Sequence, residues 1–252
     1  RITVGAGNQV VDAGGGDDTL AVSDALLTSG LVLEGGAAAS GVNYGGVRVQ
    51  GRSLSQLPLA LRSREIWRTL PEVIGIDGEY VPSGHLKLAR GEADLARLEA
   101  YARQVEGQGL DLQIVSGAAF RRQYPWLGAR AIAGSWCPGD GHANPRLVSP
   151  AFARAARAAG ARIIEHCEVT ELGHDGSHFV LGNARGLSVR APRLLSCAGA
   201  WALTVARAFG DDAPMESIHP GMAVTEPMPR FMDVNIGVEG GGIYGRQTTR
   251  GN

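Results

Sequence analysis

Residues 10–48 read VVDAGGGDDTLAVSDALLTSGLVLEGGAAASGVNYGGVR. Their order predicts a strand, a glycine turn, a helix over 20–27, a second strand and a second glycine loop. In the turn, Gly14–Gly16 lack Cβ atoms, so backbone N–H groups can approach a pyrophosphate at the start of a helix. A buried parallel strand over 31–33 would end at Glu34, whose carboxylate would accept hydrogen bonds from an adenosine ribose. This stretch therefore predicts a dinucleotide site.

The glycine turn departs from the usual G-x-G-x-x-G pattern. With Gly14 and Gly16 as the first two glycines, Thr19 takes the third position, where its branched Cβ crowds the helix against the strand. Asp17–Asp18 places two carboxylates where the pyrophosphate would lie, and these oppose the anion that a helix N-terminus attracts. An alternative turn at Gly5–Gly7 lengthens the distance to the ribose-binding acid, so we favour the later frame.

The overall composition excludes several classes of function. With 24 Lys and Arg against 25 Asp and Glu, the chain has no excess charge for nucleic acid or an anionic membrane. It has no run of 18 apolar residues and no secretory signal, which predicts a cytoplasmic protein, either free or peripheral to the inner membrane. A chain that begins at Arg1 is expected to lack its true beginning. Cys137, Cys167 and Cys197 are too scattered for a metal cluster or a disulfide framework.

Beyond residue 48 the pattern alternates between helices and strands, which predicts an α/β fold with α+β character overall. A Gly-Ala turn at 198–199 closes a predicted short strand, so a second backbone segment can approach the ligand of the first glycine turn. Helices are predicted over 53–67, over 92–108, from Pro145 or Pro150 to 159, and over 201–209; strands over 161–169 and 193–197; and hairpins over 80–90 and 180–190.

The ordered motifs VVDAGGG, LVLEGG, ASGVNYGGVR, GDGHANP, CEVTEL, LLSCAGAWA and MAVTEPMPR resemble the FAD-dependent amine and D-amino-acid oxidoreductase family. The branches most similar to the chain are D-amino-acid dehydrogenase, glycine oxidase, the sarcosine oxidase β-subunit, and hydroxyproline or opine dehydrogenase. The resemblance implies a discontinuous, Rossmann-like FAD-binding domain over 1–50 and 145–212. It also implies an interleaved, strand-rich substrate domain over 51–144 and 213–252.

The resemblance assigns FAD-binding roles to matching positions. Glu34 would bind the ribose, and Val169 would meet the adenine through its backbone. The pyrophosphate and flavin ring would be lined by Gly14, Gly16, Ser40, Asn43, Gly45, Gly46, Ala198 and Gly199. The family pattern continues beyond the segment that ends at Asn252, so the sequence resembles a fragment without the C-terminal part.

The implied reaction transfers a hydride from the Cα of an amine to N5 of FAD, and water then hydrolyses the imine. The cofactor performs the difficult step, so the protein needs a carboxylate clamp and a polar cap rather than a catalytic triad. Tyr244, Arg246 and Arg48 are the candidates for these roles, although each also has an ordinary structural interpretation. No pair of histidines has a convincing metal-ligand spacing, so no metal is expected.

The expected substrate is a small or cyclic amino acid or secondary amine, of the glycine, D-amino-acid or hydroxyproline kind. The electron acceptor would be oxygen, a quinone or a partner protein, and a hetero-oligomer fits the last of these. One alternative is a non-catalytic or flavin-free relative that acts as one component of a larger complex. An NAD-dependent dehydrogenase is a further alternative, but it leaves GDGHANP unexplained.

Overall fold

The computed structural model describes Thr19–Leu20, Leu31–Glu34, residues 43–216 and residues 221–252. Gly14, Gly16 and Ser40 lie outside the described residues, as does most of the helix predicted over 20–27. Leu20 itself lies in a strand, so the predicted helix start at this residue is wrong. Thr19 and Leu20 pair in antiparallel register with Glu34 and Leu33, an extended conformation that suits a β-branched residue such as threonine.

Numbered in chain order, the strands are β1 Thr19–Leu20, β2 Leu31–Glu34, β3 Gly46–Val47, β4 His85–Ala89, β5 Gln113–Ser116, β6 Ala133–Cys137, β7 Gly141–His142, β8 Arg162–Glu165, β9 Glu171–His174, β10 Phe179–Gly182, β11 Ser188–Ala191, β12 Asn235–Val238 and β13 Tyr244–Gly245. The helices are α1 Leu57–Arg68, α2 Leu70–Ile74, α3 Glu92–Gln104, α4 Gly117–Gln123, α5 Pro145–Ala158 and α6 Ala202–Ala208. Short 3-10 turns, Leu54–Gln56 and Gly199–Trp201, precede α1 and α6. The predicted mixture of helices and strands is confirmed.

The chain divides into two compact units. Unit 1 contains the described residues up to Asn43, Ile74–Ile76 and Pro145–Gly221. Unit 2 contains Tyr44–Val73, Asp77–Asn144 and Met222–Asn252. The assignment of FAD binding to one domain and substrate binding to the other stays a prediction, because the division reflects packing and not ligand binding.

Unit 1 contains two small sheets and the helices α5 and α6. In the first sheet, β2 lies between β1 and β8, and the β2–β8 pair is parallel. The second sheet is the antiparallel meander β9–β10–β11. The core of unit 1 is apolar and consists of Ala161, Val169, Leu181, Val189, Leu194, Ala198 and Val205.

Unit 2 is built on a five-stranded sheet with the order β13–β12–β4–β6–β5. Side chains alternate between the two faces of a strand, so Leu86 and Leu88 of β4 point away from His85. The leucine face packs against Phe120 of α4. On the opposite face Ala89 packs against Leu98 of α3, and the same face becomes polar toward His85. A separate two-stranded ladder joins β3 to β7.

Several other expectations from the sequence are confirmed and two more are wrong. The helices predicted over 53–67 and 92–108 correspond to α1 and α3, and the hairpin predicted over 180–190 corresponds to β10 and β11. The segment 80–90 does not form a hairpin, because Val81 pairs with His142 while β4 pairs with β6 and β12. The strand predicted over 193–197 is absent from this described segment, although Leu194 is buried.

Candidate functional site

The predicted catalytic residues Tyr244 and Arg246 lie at the polar end of the sheet in unit 2. His85 is paired with Asn235 across β4 and β12, and Gly237 is paired with Tyr244 across β12 and β13. Because paired residues share a face and side chains alternate along each strand, the register places these side chains on one face. Arg246 follows the last residue of β13.

Tyr44 brings Tyr244 and Arg246 together. The rings of Tyr44 and Tyr244 meet edge to face with centroids 4.7 Å apart, a favourable geometry for two aromatic side chains. The guanidinium carbon of Arg246 lies 5.4 Å from the centroid of the Tyr44 ring, within the range of a cation–π contact. Arg246 also donates from Nη1 to the carbonyl oxygen of Ala143 at 3.0 Å. No role for Tyr44 was predicted from the sequence.

Tyr44, Tyr244 and Arg246 form a cluster in which one polar atom is buried without a partner. The hydroxyl oxygen of Tyr44 lacks a hydrogen-bond partner among the described residues. Burial raises the pKa of the Tyr44 phenol well above its ordinary value, so the hydroxyl stays protonated and can donate. Since buried polar groups are nearly always satisfied, this hydroxyl fits a ligand that offers an acceptor.

A buried carboxyl group fixes the chain beyond β3. Asp140 accepts hydrogen bonds from the backbone N–H groups of Val49 and Gln50 at 2.8 and 3.0 Å. The Gln50 side chain then donates from Nε2 to the carbonyl and hydroxyl oxygens of Ser135 at 2.9 and 2.7 Å. Burial raises the pKa of Asp140 against the lowering effect of the two backbone hydrogen bonds. These contacts hold the loop that carries Arg48.

The same network sets the protonation of His85. Its Nδ1 lies 2.5 Å from Oε1 of Gln50, and an amide oxygen can only accept, so Nδ1 carries the proton. Burial, with smaller effects from the charges of Arg48 and Lys87, lowers the pKa of His85 to about 3. His85 is therefore a neutral imidazole with its lone pair on Nε2. An added Cβ at Gly237 would lie 3.1 Å from that nitrogen, closer than most Cβ contacts.

His142 is a second buried, neutral imidazole in unit 2. Its Nδ1 lies 3.3 Å from the hydroxyl oxygen of Ser83. Burial, followed by the charge of Arg246, lowers the pKa of His142 to about 4, against a raising effect from a hydrogen bond with Asn235. His142 pairs with Gly46 across β3 and β7. The structure thus links the GDGHANP motif to the second glycine loop.

The loop before β3 has the backbone that its glycines permit. Gly45 has φ of +76°, a left-handed conformation that favours glycine, and its carbonyl oxygen accepts from the N–H of Ala143 at 2.8 Å. A Cβ at Gly46 would lie 3.1 Å from the Tyr44 ring. Arg48, the third predicted catalytic residue, lies just beyond β3 and takes no part in the Tyr44–Tyr244 ring contact.

The remaining predicted FAD-binding residues lie in unit 1. Glu34 ends β2 at its carboxyl edge, beside the parallel strand β8. Val169 is buried in the core, and Ala198 is completely buried. Gly199 follows with φ of +50° and opens the turn before α6. Asn43 also belongs to unit 1.

These positions fit a dinucleotide, because an acidic residue at the carboxyl end of a parallel strand is where an adenosine ribose is held. FAD would be held in unit 1 by Glu34, the Val169 backbone and the Ala198–Gly199 turn. The flavin-binding roles of Gly45 and Gly46, which belong to unit 2, stay predictions. The antiparallel strand β1 is a departure from the parallel sheet usual in such sites.

Several buried polar residues of unit 2 were only weakly indicated by the sequence. Asp140 and His142 belong to GDGHANP, so the motif marked them without indicating a role. Gln50, His85 and Asn235 come from three separate segments. The side-chain contact of Gln50 with His85 and the strand pairing of His85 with Asn235 are long-range and follow from no local pattern.

The described ranges, 19–20, 31–34, 43–216 and 221–252, contain neither a candidate metal-binding group of side chains nor a candidate membrane-spanning helix. These ranges contain no group of three or more His, Cys, Asp or Glu side chains that could hold a metal ion. They also contain no helix with the length and apolar character needed to cross a membrane.

Comparison with known proteins gives a consistent family. The family model described as "FAD dependent oxidoreductase" matches residues 26–252. Human mitochondrial sarcosine dehydrogenase is 30% identical over 177 residues, which are 67% of this chain and 19% of that protein. Glycine oxidase of Geobacillus kaustophilus is 30% identical over 191 residues, 74% of this chain and 50% of that protein. One of the opine oxidase subunits of Rhizobium meliloti is 27% identical over 230 residues, 84% of this chain and 62% of that protein.

Solved structures give the same fold. The glycine oxidase crystal structure from G. kaustophilus has a TM-score of 0.74 at 22% identity, with 97% of this chain and 70% of that chain covered. The L-proline dehydrogenase from P. horikoshii has a TM-score of 0.71 at 19% identity, with 99% and 69% covered. The chain spans about one fifth of the human relative and half of the bacterial glycine oxidase.

Proposed function

Because the chain belongs to the FAD dependent oxidoreductase family, we propose that it removes a hydride from the Cα of a small or cyclic amino acid. The substrate class would be of the glycine, D-amino-acid or hydroxyproline kind. When bound, FAD supplies the acceptor for the hydride. The printed names of the relatives, glycine oxidase and sarcosine dehydrogenase among them, support an amino acid or a secondary amine as substrate.

The observation that carries this proposal is the state of Arg246. Its guanidinium group is partly buried, stacked on Tyr44 and hydrogen-bonded to one carbonyl oxygen. Within the described part of the chain it makes no ion pair within 4.0 Å, and Glu79, whose charge acts on it from a longer distance, is paired with Arg250. Burying a charged group without an anionic partner is unfavourable. A substrate carboxylate would provide that partner, since a guanidinium group can hold it with two parallel hydrogen bonds.

Tyr44 and Tyr244 would complete the carboxylate-binding site around Arg246. Tyr44 holds the Arg246 guanidinium group by its ring face, and its protonated hydroxyl would donate to the same carboxylate. Tyr244 packs against the Tyr44 ring and would cap the site. The network from Asp140 to Gln50 and His85 would hold the loop that leads to Arg48. These residues bind and orient, and the family's cofactor supplies the redox step.

Oxygen, a quinone or a partner protein would accept the electrons, and a hetero-oligomer would suit the last of these. One relative is named as one of the subunits of an opine oxidase, which supports a multi-component arrangement.

The alternative is a flavin-free member that acts only as a component of a complex. Purified protein distinguishes the two, because bound flavin absorbs at about 450 nm. A cytoplasmic location is part of the proposal.

The test of the carboxylate grip is Arg246→Leu with paired substrates. D-proline and pyrrolidine differ in the carboxylate, so a lost grip should affect only the first. A hydrogen bond to a charged group contributes about 1.5–3 kcal/mol, so kcat/KM for D-proline should fall roughly tenfold to a hundredfold. Pyrrolidine should react poorly with the wild type and no worse with the variant.

Arg122→Leu is the matched control, because Arg122 is an exposed arginine on α4 in the same unit. It should leave both substrates unaffected. Equal losses for D-proline and pyrrolidine in Arg246→Leu would mean that Arg246 supports the fold or the flavin and does not contact the substrate.

A further inference from the structure

Unit 2 contains a pocket that the proposed function leaves unused. It has a volume of about 290 Å³ and lies between β3 and α1, and this volume is close to the lower limit of typical small-molecule sites. Three arginines line it, Arg48, Arg52 and Arg64, and its lining contains no aspartate or glutamate among the described residues. The pocket is therefore strongly cationic.

Arg64 is the buried cation among the residues that line this pocket. Its residue surface is only 7% exposed, and Nη2 donates to the carbonyl oxygen of Gly109 at 2.9 Å. Its Nε is buried and has no hydrogen-bond partner in the described residues. An unsatisfied donor of a buried cation is costly. An anion in the pocket would offset the charge of this buried cation.

The charges of the other two arginines point in the same direction. Partial burial lowers the pKa of Arg48, and the neighbouring charge of Arg52 lowers it further. Asp140 lies close enough to raise it, yet the carboxylate oxygens of Asp140 already accept from two backbone N–H groups. A bound anion would relieve the repulsion between Arg48 and Arg52.

One wall of the pocket is apolar and fits a hydrocarbon chain. Leu59, Ala60 and Trp67 line it beside the arginines. An inorganic anion would gain nothing from these side chains, whereas methylene groups would be removed from water against them. The lining therefore favours a carboxylate at the end of a short aliphatic chain.

Tyr44 relates this pocket to the predicted substrate grip. A Cβ at Gly46, which lines the pocket, would lie 3.1 Å from the Tyr44 ring. The guanidinium carbon of Arg246 lies 5.4 Å from the centroid of the same ring, so Tyr44 contacts both Arg246 and the pocket lining. We propose that the Arg48–Arg52–Arg64 pocket binds the second carboxylate of an amino acid whose α-carboxylate is held by Arg246. This inference rests on the proposed function and narrows its substrate class to dicarboxylic amino acids and amines.

The test is calorimetric binding of unreactive acids to the purified protein. Succinate, glutarate and adipate carry two carboxylates at increasing separation, and butyrate carries one. At least one dicarboxylate should have an affinity at least about tenfold higher than that of butyrate, as expected for an added hydrogen bond to a charged group. Arg52→Gln should remove that advantage, so that no dicarboxylate binds more tightly than butyrate.

Arg52 is the residue to change, because its side chain is exposed and the buried Arg64 is needed for packing near Gly109. Arg62→Gln is the control, since Arg62 is an exposed arginine of α1 that does not line the pocket. It should keep the wild-type preference.

The two proposals fail in different ways. Equal affinity for butyrate and every dicarboxylate, or an unchanged preference in Arg52→Gln, would overturn the pocket assignment even if Arg246→Leu weakened both kinds of acid. Unchanged binding of all four acids in Arg246→Leu would overturn the α-carboxylate grip, and with it the proposed function on which the inference rests.

Discussion

Asp140 has a structural role that depends on its being an acceptor on both oxygens. Its residue surface is completely buried, and its two oxygens accept from the N–H groups of consecutive residues, Val49 and Gln50. Through this contact a single side chain fixes the direction in which the chain leaves β3. Arg48 lies immediately before the fixed residues, so its placement depends on Asp140.

Asp140→Asn should therefore destabilise unit 2. The amide keeps the shape of the carboxyl group but directs its NH₂ group toward one of the two N–H donors, which loses its acceptor. Leaving such a buried donor unsatisfied costs about 1–3 kcal/mol of unfolding free energy. Urea unfolding followed by tryptophan fluorescence measures this change, because Trp67, Trp126 and Trp136 all belong to unit 2.

Asp233→Asn is the control for this substitution. Asp233 forms an ion pair with Arg230 and its side chain is 82% exposed, and exposed ion pairs contribute little to stability. Its unfolding free energy should stay within about 0.5 kcal/mol of the wild type. A loss as small in Asp140→Asn would show that the backbone contacts of Asp140 are not important for stability.

At the scale of single elements, local sequence patterns predicted the helices better than the strands. The Leu54, Leu57 and Leu61 spacing predicted α1, and Pro58 fits because it lies in the first turn, where its missing N–H costs nothing. Segment 80–90 alternates like a hairpin, but Val81 pairs with a residue 61 positions later. Strand partners are chosen by long-range packing, which a local pattern does not contain.

Two buried histidines, His85 on β4 and His142 on β7, predict how the free energy of unfolding depends on pH. His85 and His142 have pKa values lowered to about 3 and about 4 from an ordinary value of 6.5. Below pH 6.5 the unfolded chain binds protons that the folded chain does not, so the free energy of unfolding falls as the pH falls. Each histidine contributes at most about 1.4 kcal/mol per pH unit, down to its own folded pKa. Asp140, whose pKa is raised, opposes this trend just above its ordinary pKa.

Urea unfolding at pH 7, 6 and 5 tests this dependence. His85→Gln should lower stability at pH 7, because it disturbs the contact with Gln50, but should give a shallower loss toward pH 5. His166→Asn is the control, since His166 is exposed and has φ of +54°, a conformation that asparagine tolerates. It should keep the wild-type slope. A slope in His85→Gln as steep as in the wild type would show that His85 takes no part.

At the scale of the whole chain, the sequence predicted the family and the α/β class but not the composition of the site. The motifs ASGVNYGGVR and GDGHANP carried the family resemblance, and the match over residues 26–252 confirms it. The cluster itself joins Tyr44 to Tyr244, which are 200 positions apart in the sequence. A tyrosine in a glycine loop has no feature that announces such a partner, so Tyr44 could not be assigned from sequence alone.

Glu34 ends a strand that is paired in parallel with β8. The parallel pair β2–β8 ends at Glu34 on one strand and Glu165 on the other, so two acidic residues occupy equivalent positions on neighbouring strands. Only Glu34 is predicted to bind the ribose of FAD, which needs a hydrogen-bond acceptor. Glu34→Lys should therefore lower the flavin content of purified protein, measured as the ratio of absorption at about 450 nm to protein. It should also reduce the rise in melting temperature on adding FAD, because a ligand stabilises only the state that binds it.

Glu165→Lys reverses a charge of the same sign on the adjacent strand and separates the ribose contact from a general electrostatic effect. Glu165 lies 3.4 Å from Arg157 in an exposed ion pair, so its loss should cost little stability. Flavin content should then fall much further in Glu34→Lys than in Glu165→Lys. Equal losses would mean that FAD responds to charge at this edge of the sheet in general. If neither variant changed flavin content, the ribose would lie elsewhere.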